Sequence, residues 1–286
     1  ITNLKNTNMG YTYSLSALFE KSFYFGLDLA ASYTFGHSKS VYDGTSSVAY
    51  SNWKYNYAVD SNNPGLAYSM FDIPHRVMVS VGYRTPRYAK GFMATTVSLV
   101  YNGYVGQRYS LTMNESYYDA EKKKTVYIDY NGDGWGGNSL LYIPTEDELQ
   151  KMDFKTEEDR RKFDEWIEGD SYAKKHRGAY AMRNSNSAPW ENRVDLHVAQ
   201  DIFVLKDRGS KFQVTFDVTN FANMLNKKWG TTYTAAYNVM PLQVIGSKKG
   251  EDGNYTNTYA YNSRNTITMN DVLSRWHAQI GFKYIF

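Results

Sequence analysis

The last twelve residues, R-W-H-A-Q-I-G-F-K-Y-I-F (Arg275–Phe286), decide the fold. Every second position carries an apolar or aromatic residue: Trp276, Ala278, Ile280, Phe282, Tyr284 and Phe286. The positions between them are mostly polar, as at His277, Gln279 and Lys283. A period of two predicts a β-strand with one apolar face and one polar face.

The same alternation recurs in six earlier segments. Their apolar rows begin at Tyr11, Phe23, Val77, Val97, Val194 and Phe212. The segments run for roughly 10–14 residues, whereas a tilted strand crosses a bilayer in ~9–11 residues and strands of soluble proteins average about 5–6. Aromatic residues also lie near the segment ends, where a membrane strand meets the bilayer interface. Length and face chemistry together predict membrane-crossing strands.

The composition excludes several other classes. Aromatic residues make up 16% of the 286 residues, yet the mean hydropathy is −0.59, and no apolar run of ~18–20 residues predicts a membrane-spanning helix. The net charge of +3 is too small to argue for nucleic-acid binding. The chain has no Cys, hence neither a disulfide framework nor thiol chemistry. Since no G-x-S-x-G motif or phosphate loop occurs, we expect no enzyme.

The connections alternate in length. Short turns are predicted at Lys21–Ser22, Arg87–Gly91 and Lys206–Ser210, and long polar loops at about 38–74, 108–189 and 222–273. Short turns at one end and long loops at the other are typical of outer-membrane barrels. We therefore predict an all-β fold, a transmembrane antiparallel up-and-down β-barrel, in the outer membrane of a Gram-negative bacterium.

The number of segments is odd. Bacterial single-chain barrels have an even number of strands, at least eight, so seven strands do not close one. Ile1 is not a Met and no basic or apolar leader pattern follows it. We expect that residues 1–286 form the C-terminal part of a larger barrel; a missed strand is the alternative.

The two faces predict different roles. Polar residues on the inward faces are expected to line the lumen: Asp195, His197, Asp217, His277, Gln279 and Lys283. His197 and His277 share that face, where lumen lining is a better explanation than a metal pair. The outward face is expected to contact lipid.

Aromatic residues crowd the predicted loops. We predict ligand capture by Trp53, Tyr55, Tyr57, Trp135, Tyr142, Trp229 and Tyr233. Aromatic platforms with Asn and Asp neighbours suit sugar or peptide binding. The alternative is that these rings pack loop on loop in a small core of their own.

Two loop motifs have alternative explanations. D-Y-N-G-D-G (Asp129–Gly134) matches the first half of a calcium loop, with Asp129, Asn131 and Asp133 as the oxygen ligands. The twelfth position is Leu140 instead of Glu, so a tight Asn/Asp/Gly turn is the alternative. Residues 145–168 predict a helix with capping boxes at Thr145 and Thr156. It is either a lid or a helix packed on neighbouring loops.

Several longer stretches resemble TonB-dependent transporters of the Bacteroidetes type, in their Oar-like branch. The first is D-I-P-H-R-V-M-V-S-V-G-Y-R (Asp72–Arg84), and the second is D-Y-N-G-D-G-W-G-G-N-S-L-L-Y-I-P (Asp129–Pro144). Two more are N-S-A-P-W-E-N-R-V-D-L-H-V-A-Q-D (Asn186–Asp201) and F-D-V-T-N-F-A-N-M-L-N-K-K-W-G (Phe216–Gly230). The terminal strand is similar to the family's closing strand, and its Trp276, Tyr284 and Phe286 resemble the signal read by the outer-membrane assembly machinery.

The resemblance implies a function. The family has a 22-stranded barrel with an N-terminal plug and a TonB box, so this chain would supply the last seven strands. It implies energy-coupled uptake or binding of a bulky solute, a TonB complex reached through the N-terminal region that this sequence lacks, and a possible surface lipoprotein partner. A passive porin-like, structural or adhesin barrel, or a soluble secreted β-rich binding protein, are the alternatives.

Overall fold

The computed structural model describes residues 5–204, 210–234, 238–251, 253–263 and 267–286. The strands in chain order are β1 (Tyr11–Ser22), β2 (Leu27–Ser40), β3 (Ala67–Tyr68), β4 (His75–Arg84), β5 (Met93–Tyr104), β6 (Arg108–Asn114), β7 (Ser116–Asp119), β8 (Lys124–Tyr127), β9 (Tyr142–Ile143), β10 (Asp153–Phe154), β11 (Ala179–Tyr180), β12 (Asn186–Ser187), β13 (Glu191–Phe203), β14 (Lys211–Thr219), β15 (Tyr233–Thr234), β16 (Asn238–Lys249), β17 (Tyr255–Tyr261), β18 (Thr268–Met269) and β19 (His277–Ile285).

The helices are short. They are α1 (Ala49–Lys54), α2 (Glu146–Lys151), α3 (Glu157–Gly169), α4 (Phe221–Leu225) and α5 (Asp271–Ser274), with a 3-10 turn at Ala173–Lys175. No helix in the described ranges is both long and apolar enough to span a membrane.

Seven long strands of the described chain form one antiparallel meander, in the order β1-β2-β4-β5-β13-β14-β19, and β3 adds to the end of β2. They correspond to the seven predicted segments and contain 9 to 14 residues each. The all-β prediction is confirmed. Among the described residues, β1 and β19 each keep one edge without a partner strand, so the sheet is not closed into a barrel.

The register fixes which residues share a face, because directly paired residues point to the same side of a sheet. Val214 of β14 is paired with Phe282 of β19, which is 82% exposed. Thr215 is paired with Gly281 on one side and with the buried Ala199 on the other. One face therefore presents exposed apolar residues, and the other carries the predicted lumen residues.

Aromatic side chains cluster at both ends of the exposed face. At the long-loop end, the ring centroids of Tyr13, Phe35 and His37 lie 5.5–6.1 Å apart. At the short-turn end, the rings of Phe212 and Tyr284 are 4.9 Å apart, and Phe286 is almost fully exposed after the last strand. Trp276 immediately precedes β19 and is also exposed. This distribution matches the predicted rows of aromatic residues at strand ends.

The first predicted turn was misplaced. Residues 21 and 22 still belong to β1, and the turn is formed by Phe23–Gly26, where Gly26 donates its N–H to the Phe23 carbonyl. Gly26 has a φ of 94°, and a Cβ there would lie 2.2 Å from the Arg84 carbonyl oxygen. The turn thus needs a glycine at its last position. Residues 206–209 of the predicted turn at Lys206–Ser210 lie outside the described residues.

The long loops contain a second sheet that the sequence analysis missed. It has the order β10-β17-β16-β6-β12, with β6 and β16 parallel. Its strands come from two of the predicted loops, 108–189 and 222–273. We call this sheet, with α2, α3 and the 3-10 turn, the loop module. It lies at the long-loop end of the meander, because β6 follows β5 and β12 precedes β13.

Candidate functional site

The loop module has its own hydrophobic core. Leu111 of β6 and Leu242 of β16 meet Phe163 and Ile167 of α3, and all four side chains are almost completely buried. The meander contributes no residue of its long strands to this cluster. The long loops are therefore a packed structure, as the loop-packing alternative expected for part of their aromatic content.

Two helices replace the single predicted one. Thr145 caps α2 in a capping box with Glu148, whose carboxylate also accepts a hydrogen bond from the Tyr142 hydroxyl at 2.9 Å. Thr156 caps α3 by accepting the Asp159 N–H at 3.0 Å. Phe163 and Ile167 of α3 pack into the module core, which favours the packing interpretation over the lid.

A first cavity, which we call the tyrosine cavity, lies between this module and the neighbouring loop residues and measures about 320 Å³. Its walls include Tyr130, Tyr142, Tyr180 and Tyr259, with Glu148 and Met152 beside them. The Tyr142 and Tyr180 rings meet edge to face at 5.1 Å. Rings with a few polar groups between them are typical of a site for a small organic ligand.

A second cavity, the arginine cavity, measures about 290 Å³ and lies between the first long loop and the module. Arg183, Asn184 and Arg108 come from the segment 108–189. Tyr42, Asn52 and Asn56 come from the first loop, together with Asp43, Tyr55 and Tyr57.

Asp72 joins the first loop to the module. Its buried carboxylate accepts two hydrogen bonds from Arg108, at 2.7 and 3.0 Å, and one from the Ser38 N–H at 2.6 Å. His37 approaches the same carboxylate at 3.3 Å. The Arg108 guanidinium also lies over the Tyr68 ring, at 4.1 Å. These contacts hold the arginine cavity at the end of β2 and β6.

The predicted capture residues fall in three places. Tyr55 and Tyr57 line the arginine cavity, and Trp135 packs against Tyr55 at 5.7 Å, with the Lys54 ammonium 4.3 Å from the Trp135 ring. Tyr142 lines the tyrosine cavity. The others line neither cavity: the Trp53 indole donates to Asn62, Trp229 follows α4, and Tyr233 lies in β15, which pairs with β18.

The half calcium motif forms a tight turn. Asp129 accepts the N–H groups of Asp133 and Gly134 at 3.1 and 2.7 Å, and Asn131 accepts the Asp133 N–H at 3.3 Å. Asp133 is buried and accepts from the Trp135 N–H at 2.7 Å. Among the described residues, no group of three or more His, Cys, Asp or Glu is arranged to hold a metal ion. The turn explains this geometry, and calcium binding stays a prediction.

Glu115 stabilises the turn at Asp129–Gly134 and the residues that follow it. Its side chain is fully buried, and its carboxylate accepts N–H groups from Gly137 at 2.5 Å and Tyr130 at 3.4 Å. Burial raises the pKa of the Glu115 carboxyl above its ordinary value, although these N–H groups act in the opposite direction. The burial of Glu115 was not predicted, because one Glu between two polar residues gives no sign of burial.

The predicted lumen residues share one face of the meander. His197 bonds Asp217 through Nδ1 at 2.5 Å, and Gln279 is the next residue in that register row. Asp195 lies two residues along β13, while His277 and Lys283 lie on the same face of β19, opposite Thr219 and Gln213. His197 thus meets a carboxylate and not His277.

A polar cluster around the buried Asp201, on the same face, was not predicted from the sequence. Asp201 accepts from Arg84 and Lys211, both at 2.7 Å, and from Gln213 at 2.8 Å. The four residues come from three strands near the short-turn end. Only the strand order brings them together, so no local motif predicts the cluster.

A family model described as "Outer membrane beta barrel domain" matches residues 1–274. No curated protein and no solved structure matches the chain.

Proposed function

Because the chain belongs to the outer membrane beta barrel domain family, we propose that it is the C-terminal barrel portion of a TonB-dependent transporter. The protein is located in the outer membrane. In this proposal the loop module binds a bulky solute outside the cell, and energy coupling then draws it through the lumen. The protein carries the solute without changing it chemically.

The observation that carries this proposal is the loop module with its two cavities. The long loops of this chain build a second hydrophobic core at the end of the meander. The cavities are lined by tyrosines and a few charged groups, the composition expected of a solute site. The polar face below, with His197, Asp217 and Asp201, would form part of the wall of the passage.

The open edges of β1 and β19 support a larger barrel. Unpaired backbone groups within a bilayer cost several kcal/mol each, so both edges need partner strands in the membrane. We infer that further strands of a longer chain fill this gap, and that a plug and a TonB box accompany them. A surface lipoprotein partner and recognition of the terminal strand by the assembly machinery belong to the same proposal.

An adhesin or other structural barrel is the alternative that the loop module also permits. Such a barrel would display the module to the surroundings and would have no energy coupling. A surface-binding role and a transport role therefore differ in whether the periplasmic side binds TonB.

The test starts with the natural protein isolated from outer membranes. Its intact mass is measured, and its capture by the periplasmic domain of TonB is assayed with and without proteolytic removal of the N-terminal region. We expect a mass well above 32.9 kDa and capture that needs the N-terminal region. A 32.9 kDa product that TonB does not capture would support the passive or structural barrel instead.

A further inference from the structure

Arg183 is a buried cation held by uncharged groups. Only 4% of its surface is exposed. Its Nη1 donates to the Val41 carbonyl at 2.8 Å and to Asn56 Oδ1, and its Nη2 donates to the Ser40 carbonyl at 2.6 Å. Burial lowers the pKa of this guanidinium, while the nearby Asp43 and Tyr42 act in the opposite direction.

The nearest negative charge is already engaged. Asp43 acts on Arg183 across the cavity without forming a salt bridge with it in the described part of the chain. One Asp43 oxygen accepts from the Ser40 hydroxyl and the Met70 N–H, at 3.0 and 3.2 Å. The other accepts from the Asn184 amide at 3.2 Å. Arg108, the other cation on the wall, is paired with Asp72.

Two donors on the wall lack acceptors. Within the described residues, Arg183 Nε and Asn56 Nδ2 are buried and have no hydrogen-bond partner. Asn56 is only 9% exposed, and its Oδ1 is fixed by Arg183. An unsatisfied buried donor destabilises the folded state, and a charged one does so more strongly. Folded proteins keep few such groups, and those that remain call for an explanation.

Both donors belong to residues that line the same cavity of about 290 Å³, beside Tyr42, Tyr55 and Tyr57. We propose that this cavity binds the carboxylate of the solute, and that the buried Arg183 and Asn56 side chains turn on binding so that Arg183 Nε and Asn56 Nδ2 donate to its oxygens. The tyrosine rings then pack against the group that bears the carboxylate. The proposal rests on the solute-binding role proposed above and narrows it to acidic solutes.

Acidic sugars and peptide C-termini both carry such a carboxylate. The probes are therefore D-glucuronate with D-glucose as its neutral counterpart, and N-acetylglycine with N-acetylglycinamide. Binding is measured by calorimetry on the full-length protein in detergent at pH 7. We expect each acid that fits the cavity to bind at least about tenfold more tightly than its neutral counterpart, since hydrogen bonds to charged groups contribute about 1.5–3 kcal/mol. Binding of D-glucuronate would identify the solute as an acidic sugar, and binding of N-acetylglycine would identify it as a peptide C-terminus.

Two kinds of variant locate the site. Arg183→Lys should abolish the preference for the acid, because an ammonium cannot reproduce the fork of donors. Thr45→Glu and Thr45→Gln form a matched pair at an exposed residue of the same cavity wall, so neither disturbs the core. Thr45→Glu should weaken acid binding several-fold relative to Thr45→Gln, because only the Glu side chain repels the carboxylate by its charge.

Equal binding of acids and neutral counterparts, no binding of either acid, or an acid preference that survives Arg183→Lys and Thr45→Glu would overturn the inference. TonB capture is measured on the same preparations. Capture without acid binding removes only this inference, whereas acid binding without capture removes only the transport proposal.

Discussion

Val214 and Thr215 are neighbours in β14 with opposite surroundings. Val214 shares the exposed face with Phe282, and Thr215 faces Gly281 and Ala199 on the other side. We predict that Val214→Arg impairs assembly, since an arginine on the lipid face costs about 2–4 kcal/mol near the bilayer midplane. Thr215→Arg should be tolerated on the polar side.

The measurement is the fraction of protein that is folded in outer membranes, read from the mobility shift of unheated samples. Equal assembly of the two variants would contradict the assignment of faces.

Glu115 makes the loop module sensitive to pH. Its folded pKa lies above the ordinary carboxyl pKa, so the folded module binds this proton more tightly than the unfolded chain does. Module stability should therefore fall as the pH rises from the ordinary carboxyl pKa through the higher folded value. We expect Glu115→Gln to remove this slope.

Thermal unfolding of the module, followed at several pH values, checks this expectation. Glu121→Gln is the matched control, because Glu121 is an exposed carboxylate in the same loop. A slope that persists in Glu115→Gln would assign the pH dependence to another group.

At this scale the sequence predicts faces well and burial in loops poorly. The polar row with His197 and Asp217 follows directly from alternation along single strands. Arg183, Glu115 and Asp72 are buried, yet no repeating pattern in the sequence around them predicts it. Their burial depends on contacts with residues from distant segments, and the local sequence does not predict those contacts.

The α3 helix is predicted to stabilise the loop module and not the meander. Phe163 is fully buried between Phe154 and Trp166, whose ring centroids are each 6.1 Å from its own. Phe163→Ala should destabilise the module by about 3–5 kcal/mol, the usual range for removing a buried aromatic ring. The mobility shift of the barrel should remain.

Hydrogen exchange of the module strands measures the effect. Lys162→Ala, at the neighbouring exposed position, should change module stability by less than about 0.5 kcal/mol. Equal exchange in the two variants would show that the core does not depend on α3.

The elements differ in how well their sequences predict them. The long strands of the meander were predictable because one face is apolar and the other polar. Strand β6 has no such alternation, since residues 108–113 are buried on both faces. Its parallel neighbour β16 comes from a different loop. Neither strand shows the period-two alternation by which the meander strands were predicted.

At the scale of the whole molecule, the larger barrel makes a prediction about neighbours. If other strands lie between β1 and β19, cysteines at Ser16 and Gln279 will not be joined by a short bismaleimide. Ala199→Cys with Thr215→Cys is the positive control, because those residues are directly paired. The chain itself contributes no other Cys.

The experiment is done on the natural protein in outer membranes and read as a shift in gel mobility. We expect cross-linking in the control pair alone. An intramolecular link between β1 and β19 would mean that this chain closes on itself.

The parallel pairing of β6 with β16 also sets an order of events during biogenesis. Leu111 is paired with Val239, so β6 cannot complete its pairing before β16, a much later segment of the chain, is available. Contacts so distant in sequence form slowly, because a long loop must close before they contribute. The loop module therefore forms only once β16 has been delivered, and a protein stalled before that point would present an unfinished surface.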